Sequence, residues 1–371
     1  MRYRRLVFRT SILDPYPYQV RGRVVDEPQK VSVDPTRLYF FDPESGATLG
    51  HPTLLSMSDL DDAVWSANLD ALRDLIRADP DARLDDGRRP LSAAAALGNP
   101  TMIALLVEAG APIDARDDTK LGYTALITAA REDQAAAVRQ LLDLGADLQA
   151  GDSINGTALH QTGAAGLVET ARVLLDAGAP VDAVDQAGTT PLIRVAQQAD
   201  AAVHWSQDED GNRIRLPHPL HQQHLDTADL LLARGADPNH LGHDGYAPLH
   251  HAATNGATDL AEHLLAAGAT VDLQNGIGYA PLHAACDSNQ AAMVQALLAA
   301  GADPNRADNL GFVALHGAAC QGSAEVARLL LAAGADRSRQ TSGGYDKVTV
   351  GMTPAQVAEA YGHDAVADLL R

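Results

Sequence analysis

Three stretches of this chain decide its fold, namely GYAPLHHAATNGATDLAEHLLAAGATVD (245–272), GYAPLHAACDSNQAAMVQALLAAGADPN (278–305) and GFVALHGAACQGSAEVARLLLAAGADRS (311–338). They begin 33 residues apart, and each has a Leu-His step near its start and the motif Leu-Leu-x-x-Gly-Ala near its end. Self-similarity at a fixed period of this length indicates a repeat architecture, in which each unit buries its apolar face against its neighbours.

The same two landmarks recur through most of the chain. The motif glycine occurs at Gly110, Gly145, Gly178, Gly235, Gly268, Gly301 and Gly334. The leucine of a Pro-Leu-His-like tetrad occurs at Leu91, Leu126, Leu159, Leu192, Leu249, Leu282 and Leu315. Both series advance by 33 or 35 residues except for one interval of 57, which is one period of 33 and an insertion of 24 residues. The insertion, at about 201–223, interrupts the fourth full repeat.

Each repeat has the residues of two short helices and a turn. Proline at the start of the tetrad suits the first turn of a helix, where its missing N–H costs nothing. The first helix has a small face, as at Ala252 and Ala253, and the second carries bulky pairs such as Leu264 with Leu265. Gly268 suits the left-handed position that ends a helix, and turn residues such as those at 303–305 then reverse the chain.

These stretches resemble the ankyrin-repeat family, and the resemblance covers roughly residues 59–371. It implies an all-α fold, an ankyrin-repeat α-solenoid with β-hairpin fingers, in a domain over residues 58–371. We expect seven full repeats between an atypical opening repeat and a closing repeat that follows a seven-residue lengthening. The N-terminal extension, residues 1–57, lies outside the pattern, and its strand-like segments predict a small β-rich cap on the opening repeat.

The composition excludes several classes of protein. Two cysteines, Cys286 and Cys320, are too few for a disulfide scaffold, and we expect both as reduced thiols. No run of about 18 apolar residues occurs, so the sequence predicts no membrane span. The arginine-rich first twenty residues do not have the pattern of a secretory signal. A cytoplasmic location is therefore expected. Lysine supplies only three of the 28 basic residues, which favours a GC-rich and hence bacterial source.

The net charge of −20 indicates the class of partner. Residues 1–57 carry eight basic and six acidic side chains, so the rest of the chain holds about −22. A surface this acidic repels phosphate backbones and disfavours nucleic acid. It favours a neutral or basic protein partner, because opposite charge speeds encounter. The alternative is that the acidic residues only maintain solubility.

The ankyrin resemblance implies a concave surface lined by the fingers and the first helices. In that family the residue after the finger glycine points into the groove. Here it is Arg88, Tyr123, Gly156, Thr189, Tyr246, Tyr279, Phe312 and Met352. Tyr246, Tyr279 and Phe312 follow one another at 33-residue spacing and predict a ladder of rings, a residue type that often anchors interfaces. The alternative is that these rings only pack against the next finger.

The first-helix ends and the insertion complete the predicted contact surface. Side chains at the helix ends differ between repeats, as expected of a recognition surface. The insertion carries Trp205 and predicts an arm that grips the partner, with a solvated, mobile loop as the alternative. The predicted partner-binding residues are Tyr123, Arg131, Gln198, Trp205, Tyr246, Asn255, Tyr279, Asp287, Phe312 and Gln321.

No motif in the chain indicates catalysis, a metal or a cofactor. No glycine-rich phosphate loop follows a strand, and neither GxSxG nor HExxH occurs. His218, His221 and His224 diverge around a helix axis, and a calcium-like fragment at 208–211 has Pro217 where a glutamate is needed. The ankyrin resemblance implies structural roles within and between fingers for the tetrad histidines His160, His250, His283 and His316.

The sequence therefore predicts a protein-interaction module that is monomeric on its own and binds a partner protein on its concave face. An inhibitor, antitoxin or immunity protein is one specific version of this role. The first alternative is an enzyme or metal-binding protein, with a site formed by residues 1–57 and the insertion. The second is a structural spacer that self-assembles.

Overall fold

The computed structural model describes residues 59–199 and 221–371, together with the backbone of residues 203–207 and 213–217. The β-rich cap predicted for residues 1–57 lies outside the described residues. Contacts between Cα atoms divide the chain into two compact units, residues 1–146 and 147–371. No helix among the described residues is both long enough and apolar enough to cross a lipid bilayer.

Both units are built from consecutive pairs of short helices. The first unit contains α1 (Asp59–Trp65), α2 (Leu69–Ala78), α3 (Pro90–Ala96), α4 (Pro100–Glu108), α5 (Ala125–Arg131) and α6 (Ala135–Asp143). The second contains α7 (Ala158–Ala165), α8 (Val168–Asp176), α9 (Pro191–Gln198), α10 (His221–Ala233), α11 (Pro248–Asn255), α12 (Thr258–Ala266), α13 (Pro281–Asp287), α14 (Ala291–Ala299), α15 (Ala314–Gln321), α16 (Ala324–Ala332), α17 (Pro354–Tyr361) and α18 (Asp364–Leu370).

The helices begin and end at the residues that predict them. Pro248 is the first residue of α11, and Gly256 ends that helix in the left-handed region with φ 71°. Gly268 follows α12 with φ 97°, a conformation that an L side chain rarely adopts. The prolines and glycines of the repeat therefore mark where these helices begin and end.

Packing runs from each repeat to the next. The first helix α11 lies between α9 and α13, while the second helix α12 lies between α10 and α14. Ala252 and Ala253 are fully buried on α11, and Leu260 and Leu264 are buried on α12. Burying each leucine stabilises the fold by roughly 1.5–3 kcal/mol. Because neighbouring repeats supply this burial, no pair is stable in isolation.

The fingers between helix pairs are hydrogen-bonded turns rather than β-hairpins. Asp308 N–H donates to Phe312 O at 2.8 Å, and Gly311 N–H donates to Asp308 O at 3.0 Å. One further backbone bond, from Asn309 N–H to Ile277 O at 3.0 Å, joins this finger to the preceding one. The predicted β-hairpin fingers are thus not formed as strands in the described residues, because each turn closes on a single residue pair.

The insertion contains a two-stranded antiparallel hairpin between α9 and α10. Strand β1 (Val203–Gln207) pairs with β2 (Arg213–Pro217), with Val203 opposite Pro217 and Gln207 opposite Arg213. These are the only strands in the part of the chain that the structure describes. Helix α10 begins at His221, inside the range predicted for the insertion.

Candidate partner-binding face

Four tetrad histidines of the second unit each connect their own finger to the finger of the next repeat. In His160, His250, His283 and His316, Nδ1 accepts the backbone N–H three residues earlier at 3.1–3.2 Å. Their Nε2 atoms donate to a carbonyl of the next finger at 2.9–3.3 Å. Burial lowers the pKa of His250 to about 4, which keeps its ring neutral, as an accepting Nδ1 requires. The predicted structural role of these histidines is confirmed.

Two tyrosines of the predicted ladder lie side by side in the second unit. The rings of Tyr246 and Tyr279 are 6.1 Å apart, edge to face, and both side chains are half-buried. Tyr246 also contacts the rings of His250 and His251 at 5.4 and 5.5 Å. Edge-to-face contacts of this kind hold the rings in place while leaving part of each exposed.

The third member of the ladder is covered by a residue that the sequence analysis did not single out. Phe312 is only 5% exposed, and the ring of Tyr345 stacks on it at 4.9 Å. Tyr345 itself is 49% exposed. The exposed ring at this repeat is therefore that of Tyr345, and the burial of Phe312 does not fit the contact predicted for it.

Tyr345 lies on the lengthened finger that precedes α17. Ser342 N–H donates to Leu310 O of the preceding finger at 2.8 Å, which joins the two fingers. Lys347 Nζ lies 5.1 Å from the centre of the Tyr361 ring, and the Tyr361 hydroxyl donates to Asp346 Oδ2 at 2.7 Å. The seven-residue lengthening is the only sequence signal for this part of the site. We call Tyr246, Tyr279, Tyr345 and Tyr361 the aromatic face.

At the C-terminal ends of the first helices, some predicted side chains hold neighbouring repeats together and others are exposed. Asn255 Nδ2 donates to the carbonyls of Ala196 and Gln197, at 3.1 and 3.2 Å, so its amide is used in joining α11 to α9. Gln198 and Gln321 are exposed at the ends of α9 and α15. Of these three predicted residues, only the two glutamines present uncommitted polar groups.

Asp287 is a partly buried carboxylate near the aromatic face. It is half-buried at the end of α13, and its Oδ2 accepts the Tyr279 hydroxyl at 2.7 Å. Burial raises the pKa of Asp287, although the bond from Tyr279 lowers it in part. No Lys or Arg among the described residues lies within ion-pair distance of this carboxylate.

The first unit brings together two of the predicted residues. The Arg131 guanidinium lies 5.5 Å from the centre of the Tyr123 ring, and its NH1 lies 3.8 Å from Glu132 Oε1. Arg88 sits in the same way over Trp65, at 5.2 Å. Cation–π contacts of this kind keep the arginine heads in place at the surface.

The remaining candidates carry no metal site within the described residues. Trp205 lies on β1, and its side chain is outside the described part. His224 is buried on α10, where its Nε2 hydrogen-bonds to Ala164 O at 3.2 Å. Among the described residues, no three His, Cys, Asp or Glu side chains are close enough together to bind a metal ion. Cys286 is a buried thiol, and Cys320 is a half-buried one whose pKa burial raises to about 11.

Two family models match this chain. The model described as "Ankyrin repeats (3 copies)" matches residues 60–152 and 220–308, and the model described as "Ankyrin repeat" matches residues 310–342. Together these ranges exceed half of the chain.

Similar proteins agree with this match. The Drosophila melanogaster "Neurogenic locus Notch protein" is 31% identical over 193 residues, which are 43% of this chain and 7% of that protein. The mouse "Ankyrin repeat and SOCS box protein 16" is 37% identical over 128 residues, 32% of this chain and 28% of that protein. The chain therefore spans less than a third of the length of either relative. Among solved structures, the human ASB11 ankyrin repeat domain matches 67% of this chain and 98% of its own, with TM-score 0.54 and 24% identity.

Proposed function

Since the chain belongs to the ankyrin-repeat family, we propose that it is an interaction module whose second unit binds another protein through the aromatic face. The observation that carries this proposal is the exposed ring of Tyr345, held in place by stacking on Phe312. Large, rigid aromatic side chains anchor interfaces because they bury much area at a small entropic cost. Tyr246 and Tyr279 extend the same surface.

The partner in this proposal is neutral or basic. The net charge of −20, with Asp244, Asp287, Asp308 and Asp346 among the finger and helix-end residues, supports this choice. Association should therefore weaken as the salt concentration rises. A more specific role, as an inhibitor, antitoxin or immunity protein, rests on composition alone, as do the bacterial source and the cytoplasmic location. The animal relatives do not support these more specific predictions.

The finer organisation is also a proposal. Seven full repeats between two end repeats is supported by the helix pairs, because α1 with α2 and α17 with α18 flank seven further pairs. The concave face, the monomeric state and a cap formed by residues 1–57 are proposed from the family resemblance and the sequence.

A capture experiment tests the proposed function. The full chain, immobilised, is exposed to native cytosol, and the bound protein is identified and measured by quantitative mass spectrometry. The variant Tyr345→Ser should lose the partner by at least tenfold, because the exposed ring makes the contact. Val184→Ala, which removes an equally exposed apolar side chain on another finger, is the matched control. Equal capture by Tyr345→Ser and wild type, with thermal unfolding unchanged, would contradict the proposal.

A further inference from the structure

In two repeats of the second unit, the residue two positions after the tetrad leucine reaches a finger carboxylate. Arg194 NH2 donates to Asp185 Oδ2 at 2.5 Å, and Gln161 Nε2 donates to Asp152 Oδ2 at 3.4 Å. Asp185 Oδ1 is already used, since it accepts the backbone N–H groups of Ala187 and Thr189. Oδ2 is therefore the oxygen that the helix side chain satisfies.

The repeat of α15 has the same carboxylate without the donor. Asp308 Oδ1 accepts the N–H groups of Leu310 and Phe312, each at 2.8 Å, as Asp185 Oδ1 does in its own finger. The position of Arg194 is occupied here by Gly317, which has no side chain. Asp308 Oδ2 accepts no hydrogen bond from any described residue.

A second carboxylate faces the same glycine. A Cβ atom built on Gly317 would lie 2.4 Å from Asp287 Oδ1, so this oxygen lies directly against the helix where a side chain would begin. Asp287 Oδ2 is held by the Tyr279 hydroxyl, and Oδ1 has no donor among the described residues. Gly317 also holds the position from which Arg194 reaches Asp185 in the repeat of α9, so a guanidinium at this point of α15 would reach Asp308 as well as Asp287. The charge of Asp308 contributes to the raised pKa of Asp287, after the larger effect of burial.

Aromatic rings border the two carboxylates. The Tyr279 hydroxyl donates to Asp287 Oδ2 at 2.7 Å. Tyr345 stacks at 4.9 Å on Phe312, the residue whose N–H donates to Asp308 Oδ1. Two carboxylates beside tyrosine rings form a setting in which a cation gains from ion pairing and from the ring faces together.

We propose that Asp287 and Asp308 receive an arginine side chain of the partner protein, at the place where Gly317 lacks the guanidinium that Arg194 provides to Asp185. This inference rests on the proposed function and specifies the chemistry of the partner. Arginine fits better than lysine because its planar fork of donors serves two carboxylates at once and stacks on tyrosine. The acidic charge of the chain favours the same class of partner.

The test uses small probes and the full chain, so it needs no identified partner. Isotope-labelled protein is titrated with N-acetyl-arginine amide, N-acetyl-lysine amide and N-acetyl-citrulline amide, and the NMR signals of Gly317, Cys320 and Tyr345 are followed. Citrulline has the shape of arginine without its charge. The expected order of affinity is arginine, then lysine, with citrulline at least about tenfold weaker than arginine. Equal shifts with citrulline and arginine would overturn the proposal.

Three variants localise the effect. Asp287→Asn and Asp308→Asn each keep an oxygen for the finger or the tyrosine, and each should weaken arginine binding about fivefold or more. Gly317→Arg should abolish binding, because the chain then supplies the guanidinium itself. Glu262→Gln, which removes the same charge from an exposed site on α12, should leave the titration unchanged. Arginine binding that survives both Asp variants overturns the proposal.

Failure of this inference is distinguishable from failure of the proposed function. If the arginine probe does not shift these signals while partner capture still depends on Tyr345, the arginine site is overturned and the aromatic face stands. If capture is also independent of Tyr345, both proposals are overturned.

Discussion

At the scale of single residues, the finger aspartates show how one side chain decides the state of another. Asp185 has a buried carboxylate, and burial alone would raise its pKa. The N–H of Thr189 and the guanidinium of Arg194 outweigh that effect, so the pKa of Asp185 is lowered. Gly317 occupies the equivalent position in the repeat of α15, so Asp308 has no guanidinium hydrogen bond of this kind.

We expect Arg194→Ala to lower the free energy of unfolding by about 1–2 kcal/mol, because it leaves Asp185 Oδ2 without a donor. The folded pKa of Asp185 lies below its unfolded value, so this stabilisation is present above about pH 4 and is lost as the pH falls further. Urea unfolding at pH 7 and pH 3.5 measures both effects. Arg172→Ala, which breaks an exposed pair with Glu169, should cost under about 0.5 kcal/mol. Equal costs for the two variants would contradict the argument.

The tetrad histidines make stability depend on pH. Burial lowers the pKa of His250 to about 4, below the unfolded value of about 6.5. The unfolded chain therefore binds the proton first, and the stability that this histidine contributes is full above about pH 6.5 and is lost as the pH falls toward 4. We expect the unfolding free energy of His250→Gln to fall less than that of wild type between pH 7 and pH 5. Parallel urea unfolding curves for the two proteins across that range would contradict this prediction.

At the scale of elements, small residues bring the first helices together. Gly163 on α7 is the tightest case, because a Cβ built there would lie 2.5 Å from the carbonyl oxygen of Pro191 on α9. That oxygen belongs to the backbone and has little freedom to move. The close packing of α7 on α9 therefore depends on the absence of a single methyl group.

We expect Gly163→Ala to destabilise the protein by about 1–3 kcal/mol, because the added methyl group forces α7 away from α9. The gain in helix propensity, about 1 kcal/mol, acts in the opposite direction and does not offset the clash. Gly276→Ala, in a finger turn, is the control for the added methyl group alone, since nothing lies within 4 Å of a Cβ at that position. Thermal unfolding of the two variants decides the question, and a Tm of Gly163→Ala at or above that of wild type would count against this packing.

At the scale of the whole molecule, stability is a sum of contacts between adjacent repeats. In the second unit, α11 to α14 have neighbours on both sides, whereas among the described helices the pair of α17 and α18 packs on one side, against α15 and α16. A helix pair with one neighbour opens at a lower free energy than a pair with two.

Hydrogen exchange followed by mass spectrometry measures this difference directly. The backbone N–H groups of α17 and α18 should exchange at least about tenfold faster than those of α11 and α13, because opening the last pair breaks one interface rather than two. Peptides from α13 serve as the internal reference in the same protein. Slower exchange in α17 and α18 than in α13 would show that the second unit does not open from this end.

The helices and their order follow from the sequence alone. Proline at helix starts, glycine at helix ends and the 33-residue period are local signals, and each acts through the backbone within a few residues. The buried alanines of the first helices and leucines of the second helices follow from the same periodicity, because a face that repeats must pack against its own copy.

Only the tertiary structure decided which of the predicted contact residues remain available. Tyr345 covers Phe312, and the Asn255 amide caps the end of α9, because residues from neighbouring repeats meet there. The missing donor at Gly317 likewise has meaning only once Asp287 is brought against it from the preceding repeat. Such contacts join residues far apart in the chain, so their outcome depends on packing rather than on any local pattern.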